Sequence, residues 1–209
     1  MGIYFSKNDV VNARARFEKA LSIQQTIDMA VANLARLEMQ EKKPDAANKR
    51  FEAVLEKDKK NLQAMTALAS LAVVNGKNEE AKTWLERANT ENPESLQVTQ
   101  LLAMHYVRMG DKQKALVLVR KAQASNPKVP GFVEMLAQIQ ISMGDKAGAL
   151  DSYSKFAAML PESAAAQFKV AATYMTMEND DGEIEALKKT LRLDSKYLEA
   201  QLALSTLFA

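Results

Sequence analysis

One pattern recurs along the chain every 34 residues, and it constrains the fold more than any other feature. In its central copy the pattern runs Leu102-Ala103, Gly110-Asp111, Ala115 and Asn126-Pro127. The copy before it has Leu68-Ala69, Gly76, Ala81 and Asn92-Pro93, and the copy after it has Leu136-Ala137, Gly144-Asp145, Ala149 and Pro161. A fixed period of this length is typical of solenoids, in which each unit buries its apolar face only against its neighbours. We therefore expect a linear stack of units without a central core.

Each 34-residue unit contains two amphipathic stripes, which predict two helices, named A and B here. In the central unit the A stripe is Thr99, Leu102, Ala103 and Tyr106, spaced i, i+3, i+4, i+7 as on one face of a helix. The B stripe starts from an alanine that returns at one phase as Ala13, Ala47, Ala81, Ala115 and Ala149. Glycines after the A helices and prolines after the B helices mark the turns. The expected fold is all-α, built from antiparallel helix pairs.

The period divides residues 1–209 into a single array of successive units. The predicted units are a partial one at 1–27, then 28–61, 62–95, 96–129, 130–163 and 164–197, and a partial one at 198–209. The segment Ile3–Phe5 is predicted to end an A helix. Apolar side chains at Leu202, Leu204, Leu207 and Phe208 lie near the other end without a polar capping unit. We therefore expect a fragment of a longer array, whose apolar end is covered by another copy or by a neighbouring molecule.

Composition argues against several classes of function. The 28 lysines and arginines nearly balance 26 acidic residues, unlike the basic footprint of a nucleic-acid binder. The chain has no cysteine, which excludes disulfides and thiolate metal sites. No apolar run approaches the roughly 20 residues that span a bilayer, so direct membrane insertion is not expected. No signal peptide is recognisable, and the composition does not indicate the cellular compartment.

No group of residues indicates catalysis. His105 is the only histidine, and Leu37, Leu71, Ile139 and Thr173 occupy its phase in the other units, so it is expected to pack at a helix interface with one hydrogen bond. The acidic run 179–183 lacks the alternating ligand spacing of a calcium loop and is predicted to cap a helix. We therefore predict a protein that is not an enzyme, with no cofactor and no metal site.

The period, the Leu-Ala pair, the Gly-Asp turn and the closing Asn-Pro together resemble the tetratricopeptide repeat (TPR). The resemblance covers essentially the whole chain. It implies an α-α superhelix, or solenoid, whose A helices line a concave groove that binds peptides or protein segments.

A narrower resemblance concerns the run from Met143 to Tyr153 and the pair Leu160-Pro161. These residues are similar to TPR lipoproteins of the bacterial PEP-CTERM protein-sorting system, a group linked to exopolysaccharide production. The resemblance implies a parent protein anchored in the periplasm or outer membrane. A cytoplasmic protein is the alternative.

TPR geometry turns one further face of each A helix into the groove, one position past the packing stripe. The residues predicted to line the groove are Arg36, Met39, Gln40, Thr66, Ser70, Val73, Gln97, Gln100, Met104, Arg108, Glu134, Gln138, Ile141, Phe168 and Met175. Amides and methionines suit peptides of several shapes. Some TPR proteins grip terminal carboxylates with paired Lys and Asn residues, and that set is absent here.

Three functions follow as hypotheses. The leading one is a non-catalytic scaffold that presents a rigid groove to a protein or peptide and so loses little entropy on binding. The second is a structural spacer or a module that associates end to end with itself. The third is the regulatory TPR region of a longer enzyme.

Overall fold

The computed structural model describes residues 7–23 and 28–208. The predicted helix end at Ile3–Phe5 lies outside these residues. The described part contains twelve α-helices and no strand. The helices are α1 (Lys7–Ile23), α2 (Asp28–Gln40), α3 (Pro44–Lys57), α4 (Leu62–Val74), α5 (Asn78–Glu91), α6 (Leu96–Arg108), α7 (Lys112–Ser125), α8 (Pro130–Met143), α9 (Lys146–Met159), α10 (Ala164–Thr176), α11 (Asp180–Leu193) and α12 (Leu198–Leu207). The all-α prediction is therefore confirmed.

The helices fall into two compact units that are larger than the 34-residue repeats. The first unit is Met1–Pro93 and the second unit is Glu94–Ala209. In the first unit each of α1 to α4 packs against the next helix in the chain. In the second unit each of α6 to α11 packs against the next helix, and α6 also contacts α8. The predicted A helices are α2, α4, α6, α8, α10 and α12, and the predicted B helices are α1, α3, α5, α7, α9 and α11. One array running through both units stays a prediction.

The two predicted stripes form the interior of both units. The A stripe of α6 is buried at every position, with Thr99 fully buried. In the B helices the recurring alanine is fully buried at Ala47, Ala81, Ala115 and Ala149. A methyl group at these positions lets the adjacent helix approach closely, because interiors pack at high density. In α11 the alanine phase carries Glu183 instead, and its side chain is also buried.

The turns after the A helices share one conformation. Gly110 follows α6 with φ +86°, and the amide of Asp111 donates to the Tyr106 carbonyl across the turn at 2.8 Å. This left-handed ending satisfies carbonyls of the last helical turn and favours glycine. Lys42 and Glu178 occupy the position of this glycine in two other 34-residue repeats, and both adopt the left-handed conformation, with φ 60° and 56°. The fold therefore imposes this turn even where glycine is missing.

Side-chain caps start several of the helices. Asn61, Ser95 and Ser163 accept from backbone amides at the starts of α4, α6 and α10. At the start of α11, Asn179 Oδ1 accepts from the Gly182 amide at 3.0 Å. The prediction that residues 179–183 cap a helix is confirmed. These caps set where α4, α6, α10 and α11 begin.

No described helix combines the length and the apolar content that crossing a membrane requires.

Candidate functional site

The fifteen residues predicted to line a groove all lie on A helices, and none is buried. Ten are exposed, namely Arg36, Gln40, Ser70, Gln97, Gln100, Met104, Arg108, Gln138, Ile141 and Met175. Five are half-buried, namely Met39, Thr66, Val73, Glu134 and Phe168. Met104 is 61% exposed and Met175 is 55% exposed, which is unusual for large apolar side chains. The predicted face is therefore accessible within each unit.

In the first unit the candidate face is polar but mostly satisfied by its own helices. The Thr66 hydroxyl donates to the Leu62 carbonyl at 2.9 Å, and the Ser70 hydroxyl donates to the Thr66 carbonyl at 2.8 Å. Arg36 Nη2 donates to Asn33 Oδ1 at 3.2 Å. Hydroxyls bonded within their own helix offer a ligand only their remaining acceptor capacity. The hydroxyl donors of this part of the face are therefore already engaged.

In the second unit the candidate face contains a cavity between α6 and α8 of about 280 Å³. Its walls are formed by Gln100, Ala103, Met104, Val107, Arg108, Met135, Gln138, Ile139 and Ser142. Four of the predicted groove residues therefore meet around one space: Gln100, Met104, Arg108 and Gln138. The other predicted residues of this unit, Gln97, Glu134, Ile141, Phe168 and Met175, do not line the cavity.

The wall also includes four residues that lie outside the predicted groove face: Ala103, Val107, Met135 and Ile139. Ala103 belongs to the packing stripe, and its small side chain leaves part of the space open. Val107 could have been predicted from the sequence, because its position is apolar in every repeat. The equivalent residues are Met39, Val73, Ile141 and Met175. Met135 and Ile139 are almost wholly buried yet still reach the cavity. These two residues reach the cavity because a gap separates α6 from α8, and the residue pattern along one helix does not predict such a gap.

The electrostatics at one end of the cavity are set by Arg108. Its Nη2 lies 3.0 Å from Nδ1 of His105, which is only 4% exposed. A guanidinium only donates, so Nδ1 must accept, and the ring proton of the neutral imidazole lies on Nε2. No carboxylate of the described residues forms an ion pair with Arg108. The cation is therefore held in place by a neutral acceptor and keeps its charge. His105 packs at the helix interface as predicted.

A second cation lies near the same end. Lys112 Nζ donates to the Ser142 carbonyl, whose residue forms part of the cavity wall. The Ser142 hydroxyl donates to the Ile139 carbonyl at 2.7 Å. Both contacts involve the last turn of α8, where carbonyl groups leave a partial negative charge that cations stabilise. Lys112 therefore supports the helix end, and Arg108 remains the cation whose charge is available.

A group of aromatic and charged residues lies further along the same unit. Glu134 on α8 and Lys169 on α10 form an ion pair of 3.0 Å, and Lys169 Nζ lies 5.9 Å from the centre of the Tyr153 ring. Burial raises the pKa of the Tyr153 hydroxyl. The Phe168 and Tyr197 rings lie 5.1 Å apart. Glu134 and Phe168 thus lie on the predicted face with partners already engaged.

Elsewhere, a cavity of about 250 Å³ in the first unit lies beside α3 and is lined in part by Lys49, Arg50 and Lys57. It lies away from the predicted groove residues. Among residues 7–23 and 28–208, no group of three or more His, Asp or Glu side chains is arranged to hold a metal ion.

The fold and a sequence match agree on the family. Residues 38–104 match the family model described as tetratricopeptide repeat. Together with the repeated helix pairs, this match shows that the chain contains tetratricopeptide repeats. No curated protein sequence is detectably similar to it.

Solved structures show the same fold at low sequence identity. One is YrrB, described as a TPR protein with an unusual peptide-binding site, at 21% identity and TM-score 0.58, covering 90% of this chain and 96% of YrrB. Another is MamA, at 20% identity and TM-score 0.60, covering 82% of this chain and 95% of MamA. A thermophilic TPR protein of Thermus thermophilus has 18% identity and TM-score 0.57, covering 87% of this chain and 98% of that protein. These matches establish the TPR solenoid fold. None of the matches named here is a PEP-CTERM lipoprotein.

Proposed function

We propose that this chain is a non-catalytic interaction scaffold that binds an extended peptide or protein segment on the exposed face of its A helices. TPR proteins are in general interaction modules, and YrrB is described as having a peptide-binding site. The observation that carries the proposal is the cavity between α6 and α8, because four of the predicted groove residues meet there.

The physical basis of binding is preorganisation. The A helices α4, α6, α8 and α10 each bury one face, and α4, α6 and α10 also begin with a side-chain cap, so the exposed face is already ordered before a partner arrives. An extended segment then bears most of the entropic cost of association. Exposed methionines such as Met104 and Met175 adapt to different apolar side chains because the thioether chain is flexible and polarisable.

The test is a selection of 12-residue peptides displayed on phage against the intact protein, followed by binding measurements with synthetic peptides. Met104→Glu on α6 should abolish capture without lowering the melting temperature, since this side chain is exposed. The matched control is Val117→Glu on α7, which is 58% exposed and lies on a B helix. Equal effects of the two substitutions, or selected peptides that ignore both, would argue against groove binding.

A second candidate function is end-to-end self-association. It rests on α12, where Leu198 is 60% exposed, Leu202 is 58% exposed and Phe208, just after the helix, is 69% exposed. Burying such side chains contributes roughly 1.5–3 kcal/mol each, enough to favour a contact between copies. Light scattering over a range of protein concentrations should show an oligomer that Leu202→Glu dissociates. A monomer at every concentration would exclude this candidate.

The narrower hypothesis places the parent protein in the PEP-CTERM sorting system of bacteria. It rests on the run from Met143 to Tyr153 and on Leu160-Pro161 alone. Deletion of the gene in its host should then impair exopolysaccharide export, and unchanged export would oppose the hypothesis.

A further inference from the structure

The geometry points to a specific ligand for the cavity between α6 and α8. We infer that it takes one aliphatic side chain of an extended peptide, while Arg108 binds the carboxylate of a neighbouring aspartate or glutamate in the same peptide. The inference rests on the proposed function and narrows it to one position on the A-helix face and one class of sequence.

The lining of the cavity suits an aliphatic side chain, and the cavity is small. Its volume of about 280 Å³ lies just below the roughly 300–1,000 Å³ of sites that bind drug-sized ligands. The inner wall is apolar, with Met135 and Ile139 at its base and Met104 and Val107 beside them. An aliphatic side chain gains about 25 cal/mol for each Å² that it removes from water there. A polar side chain would lose hydrogen bonds to water and find few partners on this wall.

The charge at the cavity supplies the second element of recognition. Arg108 lines the cavity, and one of its terminal nitrogens donates to His105 at 3.0 Å. A guanidinium has five N–H donors, so several remain for a ligand, and its planar shape matches a carboxylate. A carboxylate in place of His105 would neutralise the guanidinium and remove this attraction. The neutral imidazole orients Arg108 without neutralising it, so the positive charge of Arg108 can attract a ligand carboxylate.

An acidic side chain within the peptide explains the site better than a free carboxyl terminus. The accessible A-helix face continues beyond the cavity to α10, where Met175 is 55% exposed, so an extended segment has room to run past Arg108. The paired Lys and Asn residues that some TPR proteins use for terminal carboxylates are absent from the candidate face. One arginine matches one internal carboxylate.

The experiment uses the peptides selected on phage against the intact protein, each made with a carboxyl-terminal amide. We expect them to share Leu, Ile or Met with Asp or Glu within three positions. Replacing the acid by lysine, or Arg108 by glutamate, should weaken binding by roughly 10- to 100-fold, as expected for loss of a charge-assisted hydrogen bond. Combining Arg108→Glu with the lysine peptide should restore at least part of the affinity. Arg120→Glu on the exposed side of α7 is the matched control and should change binding by less than about threefold.

A second pair of variants tests the cavity itself. Gln138→Trp on α8 places a large side chain at the mouth and should prevent binding, whereas Gln113→Trp on α7 should not. His105→Leu keeps an apolar side chain of the kind found at this phase but removes the acceptor for Arg108. It should weaken binding of the acidic peptide and leave the glutamine version of the peptide unaffected, and His105→Asn, which restores an acceptor oxygen, should recover affinity.

The outcomes separate this inference from the proposed function. Peptides that lack an acid, that respond equally to Arg108→Glu and Arg120→Glu, or that bind only with a free carboxyl terminus overturn the inference, while sensitivity to Met104→Glu still supports groove binding. Failure to select any peptide, or peptides insensitive to every A-helix substitution, overturns both.

Discussion

At the scale of single residues, the 34-residue repeats differ in the side-chain contact that joins the A helix to the B helix after it. Arg50 Nε on α3 lies 2.6 Å from Oε1 of Glu38, which is 4% exposed on α2. Three 34-residue repeats later, the same two positions carry Gln140 and Ser152. The Ser152 hydroxyl donates to Gln140 Oε1 at 2.7 Å. One position pair therefore supports either a buried ion pair or a neutral hydrogen bond.

The first prediction concerns the buried carboxylate of Glu38. Arg50→Ala leaves this charge with Arg14 Nη1 at 3.6 Å as its remaining cation. We expect the free energy of unfolding to fall by about 2 kcal/mol, toward the low side for a broken buried pair because Arg50 keeps a quarter of its side chain exposed. Chemical denaturation followed by circular dichroism measures the change.

Two further variants control that experiment. Lys49→Ala, at an exposed neighbour, should change stability by no more than about 0.5 kcal/mol. The double variant Glu38→Gln, Arg50→Ser copies the Gln140–Ser152 pair and should recover much of the loss. If Arg50→Ala cost no more than Lys49→Ala, the ion pair would not matter to stability.

The second prediction concerns pH and Glu183. Burial raises the pKa of this carboxyl group, and the charge of Asp180 adds to the effect. The folded chain therefore binds a proton more tightly than the unfolded chain, and stability falls as the pH rises from the ordinary carboxyl pKa through the raised one. Glu183→Gln should raise the melting temperature at pH 7, and the gain should vanish below about pH 4. A gain that is independent of pH would contradict the titration of Glu183 as its cause.

At the scale of elements, the helix-ending turn depends on its place in the repeat more than on its residue. After α10 the Glu178 amide donates to the Met175 carbonyl at 3.1 Å, and the Asn179 amide donates to the Tyr174 carbonyl at 3.2 Å. The turn after α6 forms equivalent bonds around Gly110. A glutamate in the left-handed region is strained, so the packing of the two adjoining helices must stabilise the turn.

The third prediction follows from that strain. Glu178→Gly should raise the free energy of unfolding by about 0.5–1 kcal/mol, since relief of the left-handed penalty exceeds the greater flexibility of glycine when unfolded. Gly110→Ala should lower it by about 1 kcal/mol, and the cost is conformational because an added methyl group meets no atom within 4 Å. Thermal unfolding measures both.

Lys189→Gly, within α11 and exposed, is the control for the glycine substitution itself. It should destabilise by about 1 kcal/mol, the usual cost of glycine inside a helix. If Glu178→Gly destabilised the protein as much as Lys189→Gly does, position 178 would carry no strain.

At the scale of the whole molecule, each helix is stabilised mainly by the helices next to it in the chain. In the second unit α8 packs against α6, α7 and α9, whereas α12 packs against α11. In the first unit α1 packs against α2. The free energy of unfolding of a repeat array is approximately the sum of the contributions of the individual repeats and of the interfaces between neighbouring repeats.

The fourth prediction is that local stability varies along each unit in a graded way. Backbone amides of α1 and α12 should exchange with deuterium at least about tenfold faster than those of α8 and α10, because α1 and α12 pack mainly against one helix each and open without disturbing the rest. Exchange measured by mass spectrometry tests this directly. Uniform protection from α1 to α12 would indicate one cooperative core and contradict nearest-neighbour stabilisation.

The sequence is sufficient to predict the helices, their pairing and their turns. Periodicity specifies them because an apolar stripe and a helix-ending glycine act through the local backbone, so Thr99 is buried where its spacing predicts and Gly110 ends α6. It also determined which side chains are accessible, since that face follows geometrically from the buried stripe.

Contacts between particular side chains could not be predicted without the tertiary structure. The neutral contact of Arg108 with His105, the partner of Glu38 twelve residues away, and the reach of Met135 into a cavity all depend on side chains of different turns or helices. The distances between such groups result from close packing of two helices, and a repeat pattern in one dimension does not contain them.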